Sequence, residues 1–206
     1  MSLFNLIVSS RIFKVKDRKM KYFLLLLPLL GLLSCTDLNK GKQISAIDGM
    51  NKTIDSIQTV LLENEIDTIA ALQVATNTVE LRIKNYYYAD TIDMALGRKM
   101  DAYKVMRRSL GPLGRSYVTI KNGVIAERKA LSNLKKDIEN GDGDRKKYDE
   151  YVQFEQGKVD QLRSLLSEYV KEKNKTMKTF NELHQELYDF SMEWYHKNKD
   201  RKVPGK

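Results

Sequence analysis

Few side chains in this chain have the type and spacing for chemistry. The two histidines, His184 and His196, stand twelve residues apart, without the i, i+4 spacing that puts a zinc-binding pair on one helix face. Asn181 sits three before His184, so the Glu-x-x-His pattern of di-iron helical bundles is missing too. Glu182, His184 and Glu186 could hold a metal only with donors from a partner, and a histidine at the edge of a helical seam needs none. Asn140-Gly141-Asp142-Gly143-Asp144 alternates oxygen donors as a calcium loop does. Counted from Asn140, however, the sixth and twelfth positions are Arg145 and Tyr151, where an EF-hand requires glycine and a bidentate glutamate. No Gly-Lys-Ser/Thr follows to cradle a phosphate. With no Ser/His/Asp grouping visible either, the sequence predicts no catalytic residue, no metal and no cofactor.

The remaining reactive group is Cys35. It is the only cysteine, so no intrachain disulfide can form. It follows Tyr22-Phe23-Leu24-Leu25-Leu26-Leu27-Pro28-Leu29-Leu30-Gly31-Leu32-Leu33, an apolar run of twelve. A bilayer-spanning helix needs about 20 such residues, but the run suits the apolar region of a signal peptide, with Lys19 and Lys21 as its basic flank. Leu32-Leu33-Ser34-Cys35 resembles the lipobox of bacterial lipoproteins: an apolar residue, a small residue, then the cysteine that receives lipid. The resemblance implies cleavage after Ser34 and a mature chain that begins at a diacylated, N-acylated Cys35. Several acyl chains anchor stably where one is marginal. Met20 is the expected start of such a leader. Thr36, not aspartate, follows the cysteine, which by the same resemblance implies the outer membrane. Asp37 is the sole acid of Thr36–Lys40, which favours the periplasmic face, with surface exposure as the alternative.

Three triplets, Asp55-Ser56-Ile57, Asp67-Thr68-Ile69 and Asp90-Thr91-Ile92, resemble the O-glycosylation acceptor motif of exported Bacteroidetes proteins. That resemblance implies glycans on Ser56, Thr68 and Thr91. The plainer reading makes Asp67 and Asp90 helix N-caps and Asp55 a solvated helix residue.

The formal charge of +9 suggests a polyanion partner until it is divided along the chain. Arg11, Lys14, Lys16, Arg18, Lys19 and Lys21 face only Asp17 in the first 34 residues, so more than half of the excess lies in the leader. The rest is a mildly basic, mixed surface, and an exported protein has little reason to meet nucleic acid. Lys171, Lys173, Lys175 and Lys178 span several helix faces, as a solvated surface does.

The elements must be helices. Residues 1–34 read as the leader, 35–43 as a lipidated tether, 44–199 as a helical bundle and 200–206 as a flexible tail. Ile47, Met50, Ile54, Ile57 and Leu61 recur at steps of three and four, one face of a helix. Asp67 is placed to cap a second helix bearing Ile69, Leu72, Val79, Ile83 and Tyr86, and Asp90 to cap a third. From Ile92 to Ile138 a 4-3 alternation holds without interruption, apolar or tyrosine except at Lys99 and Glu127. It passes through Gly111-Pro112-Leu113-Gly114, which predicts a bent helix kinked at Gly111, Pro112 and Gly114. Gly141 and Gly143 mark a turn, and a second alternation runs from Tyr148 to Trp194, with Glu155, Lys173 and Thr176 among its seam positions.

The expected fold is all-α. A long antiparallel helical hairpin, about 90–140 and 144–197, carries two shorter helices packed on one end, and the turn projects as a two-helix coiled coil. Folding about residue 142 sets residue x opposite 284 − x. The general look resembles that of the uncharacterised all-helical, coiled-coil-like lipoproteins of Bacteroidetes. The expected function is a membrane-anchored, non-catalytic scaffold, spacer or adaptor. Its partners are the bilayer, through acylated Cys35, and an envelope protein or glycan, met at the projecting turn or the kink. The alternatives are a chaperone-like clamp and a module binding a ligand, peptide or cell-wall fragment near Tyr86-Tyr87-Tyr88 and Trp194.

Overall fold

The computed structural model describes residues 39–66, 68–91 and 93–200. Cys35, the lipobox residues Leu32, Leu33 and Ser34, the cap Asp67, the seam residue Ile92 and most of the 200–206 tail lie outside them. Among the described residues the protein is four α-helices and a single 3₁₀ turn: α1 (39–63), α2 (Ile69–Tyr86), α3 (Met94–Asn140), the turn Arg145–Lys147 and α4 (Tyr148–Asn198). They form a bundle, and the helices divide between two compact units.

The first unit joins α1 up to Gly49 with Leu131–Gln153, which includes the hairpin turn. Its buried apolar residues are Ile47, Leu131, Leu134, Ile138 and Tyr148. α3 ends where Gly141 takes φ +75°, and the N–H groups of Gly141 and Asp142 both donate to Asp137 O at 2.8 Å. This left-handed cap suits glycine, because a Cβ there is penalised. Gly143 also has positive φ, +79°. Asp144 then caps the 3₁₀ turn, accepting from Lys146 N at 3.1 Å. Tyr148 Oη lies 2.6 Å from Asp142 O and 3.0 Å from Asp137 O, so one buried hydroxyl ties the turn to both arms.

The turn does not project alone. Residues 39–43, expected as tether, are the first turn of α1 and lie against it. Lys40 Nζ donates to Glu139 O at 2.8 Å, Gln43 Nε2 to Asp149 Oδ1 at 2.7 Å, and Lys135 pairs with Asp48 at 2.7 Å. Their polarity, which suggested solvated chain, is satisfied by partners distant in sequence. Within this unit α1 begins beside the turn. Periodicity reveals which face a helix buries but not the height at which it docks.

In the second unit, Met50–Ala130 with Phe154 onward, α1 and α2 follow one another along the hairpin. Both run antiparallel to α3 and parallel to α4. Asp55 pairs with Arg128, Asn64 meets Tyr169 and Lys173, Glu80 pairs with Arg107 and Arg82 reaches Ser191. α3 runs unbroken through Pro112, which supplies no N–H to the preceding turn. Gly111 and Gly114 lie where Gln73 and Ile69 of α2 approach α3. The hairpin pairs Lys99 with Glu186, Ser109 with Thr176 and Glu127 with Lys158. Each pair of residue numbers sums to 285, one residue from the expected register.

α3 starts at Met94, and its cap is Asp93, not Asp90. Asp93 Oδ1 accepts from Ala95 N at 2.9 Å and Leu96 N at 3.0 Å. α2 starts after Thr68, whose side chain makes no capping bond.

Candidate functional site

The unusual chemistry of the second unit lies inside its seam. Glu127 on α3 occupies a position the alternation reserves for apolar residues and is only 2% exposed. Across the hairpin, α4 presents Glu155 and Lys158 one turn apart. Lys158 Nζ stands 2.8 Å from Glu127 Oε2 and 2.7 Å from Glu155 Oε2. Burial, then the hydrogen bond with Glu155, pushes the Glu127 carboxyl up to about 7, against the weaker pull of Lys158. Burial alone would raise Glu155 as well, but its hydrogen bonds with Glu127 and Lys158 prevail and hold it below the ordinary carboxylate range. Glu127 Oε1 meets no donor. A proton on Glu127 resolves this, since the neutral acid donates to Glu155 and leaves one negative charge for one lysine. A carboxyl titrating near neutrality is what a general acid or base requires, but one so buried offers a substrate no approach.

A second polar pair lies in the apolar cluster of Val79, Ile83, Tyr103, Met106, Leu110 and Leu187. Tyr103 Oη is 2.5 Å from His184 Nδ1, and the imidazole stacks on Phe180 at 4.4 Å. Burial lowers the His184 pKa. Burial, reinforced by the charge of Glu80, raises Tyr103. Both groups are held neutral, and one hydrogen bond joins them. Glu186 pairs with Lys99 and Glu182 with Lys178, so the three side chains weighed as a metal set have separate partners. Among the described residues no three His, Cys, Asp or Glu side chains gather to hold a metal. In the Asn140–Asp144 stretch, Asp144 serves the 3₁₀ turn and Asp142 accepts from Asn140 at 3.3 Å.

Comparison with protein-family models, curated proteins and solved structures finds no match to this chain.

Of the glycosylation candidates, Ser56, Thr68 and Thr91 are all exposed. Ser56 lies mid-helix beside Asp55, which is paired with Arg128. Thr68 precedes α2, and Thr91 lies in the stretch between α2 and α3. The aromatic group near Trp194, where the alternative reading would place a ligand, packs on itself. Tyr87 meets Trp194 at 4.9 Å and Phe190 at 5.4 Å, and Tyr86 meets Tyr195 at 5.0 Å. A cavity of about 420 Å³ opens beside Pro112, lined by Ser109, Arg115, Ser116, Glu168 and Glu172 among others. Periodicity had already singled out Glu127 and Glu155 as polar seam positions, and the register brings them together. Only the three-dimensional packing adds Lys158, which sits beside the seam.

Proposed function

We propose that this chain is a lipid-anchored protein of the bacterial cell envelope. It is held at the periplasmic face of the outer membrane through acylated Cys35, and its helices serve as a non-catalytic scaffold, spacer or adaptor for an envelope protein or glycan. The reading rests on Leu32-Leu33-Ser34-Cys35 at the end of an apolar run of twelve behind Lys19 and Lys21. Among the described residues no helix is long and apolar enough to cross a membrane. One fact of the fold supports the non-catalytic part of the reading. The buried ionisable groups of the seam bond to one another, as in a structural core. Cells fed alkynyl palmitate should label the wild-type chain and leave Cys35→Ser at least tenfold dimmer at equal expression. Equal labelling would remove the proposal.

A second reading, a module binding a peptide or cell-wall fragment, draws on the cavity beside Pro112, where Arg115, Glu168 and Glu172 supply charge. Its site would be this cavity and not the aromatic group around Trp194.

A further inference from the structure

The start of α1 and the hairpin turn form one surface. Asn39 and Lys40 share a cavity wall with Asn140, Gly141, Arg145 and Lys146. Lys40 Nζ is bonded to Glu139 O at 2.8 Å, and Gln43 fixes the next turn of α1 to Asp149 at 2.7 Å. Only four peptide links separate Cys35 from Asn39. A fully extended chain gains about 3.3–3.6 Å per residue, so those links reach no more than roughly 14 Å.

We propose that the turn-bearing face of the first unit, residues 39–43 with 141–147, rests against phospholipid headgroups. This deepens the function proposed above and rests on the acylation of Cys35. With acyl chains buried in the bilayer at residue 35, the short reach to Asn39 leaves the turn no room to stand away from the surface. The charges on this face suit that neighbour. Lys42, Arg145, Lys146 and Lys147 are exposed. The nearby acids are partly engaged within the protein: Asp144 caps the 3₁₀ turn, Asp149 holds Gln43 and Asp142 accepts from Asn140. Cationic side chains near a membrane face lipid phosphates favourably. The turn is then a membrane contact, and an envelope partner must be met elsewhere on the protein.

The test uses the full-length lipidated protein, its N-terminal mass confirmed, on vesicles of phosphatidylethanolamine and phosphatidylglycerol doped with a headgroup nitroxide. Acylation consumes the Cys35 thiol, so Lys146→Cys or Ser132→Cys provides a single labelling site for a fluorophore. Both residues are exposed and lie in the same unit. Position 132 stands two helical turns, ~12 Å, before the end of α3. The expected result is quenching at 146 at least threefold stronger than at 132. Equal quenching, or stronger quenching at 132, would overturn the orientation while leaving the anchor intact. A sample whose mass shows a bare Cys35 would overturn the anchor, and the orientation with it. Arg145, Lys146 and Lys147 changed together to Glu should weaken the quenching of a Gln153→Cys label, and no change would count against the headgroup contact.

Discussion

Glu127→Leu should gain stability on the wild type as pH rises. Near pH 5 the two should unfold within about 1 kcal/mol of each other, since leucine then replaces a neutral, hydrogen-bonded carboxyl. By pH 8 the variant should lead by about 3 kcal/mol, the free energy that corresponds to moving a carboxyl from its ordinary value to about 7. The raised pKa means that the native state binds this proton more tightly than the unfolded chain. The stability it contributes is complete below the ordinary value of 4.5 and is lost as pH climbs through about 7. Glu155 has the opposite sign. In the wild type its lowered pKa contributes above the ordinary value and fails only as acid reaches the lowered one, so it is constant over this window; in the variant Lys158 alone opposes its burial. His184, lowered by burial, contributes above its ordinary 6.5 and loses as pH falls. That slope is common to both proteins and cancels in the difference. Urea midpoints at fixed ionic strength from pH 5 to 8 provide the check. Parallel profiles would mean that Glu127 titrates normally.

Leu110→Ala should destabilise the second unit by about 2–5 kcal/mol, the usual result of deleting a buried leucine that its surroundings cannot close over. Leu110 is 0% exposed and belongs to the cluster with Val79, Tyr103, Met106 and Leu187. On the same helix, Val105 is 62% exposed, and Val105→Ala should stay within about 0.5 kcal/mol of wild type. Thermal unfolding of the two side by side separates a packing role from a change in helix propensity, because both carry the same new residue. Equal losses would show that the 4-3 alternation misreads the interior.

That alternation made the hairpin legible. Tyr103, Met106, Leu110, Leu113, Ile120, Val124, Leu131, Leu134 and Ile138 are buried as it requires, and so are Ile47, Met50, Ile54, Ile57 and Leu61 on α1. Three kinds of fact were not legible. The height of α1 along the hairpin depends on contacts such as Gln43 with Asp149, between residues 106 apart, and no local pattern encodes them. The cap of α3 fell to Asp93 although Asp90 stands one turn earlier. Both residues suit an N-cap, and only the true helix start decides between them. Buried polar residues are not marked in the sequence, because polarity by itself favours exposure. Thr76 and Ser191 are fully buried, yet their hydroxyls bond to Leu72 O and Tyr188 O within their own helices, at 2.7 Å each. Of the candidate site, Glu127 and Glu155 stood out as breaks in an apolar seam. The bridging of both by Lys158 follows from distances that a sequence does not carry.

Tandem mass spectrometry of the N-terminal peptide, purified from membranes of cells making the full chain, bears most directly on the lipid anchor. The expected peptide begins at Cys35 and carries a diacylglycerol and an amide-linked acyl chain. A peptide that retains residues before Cys35, or one with an unmodified thiol, would contradict the account.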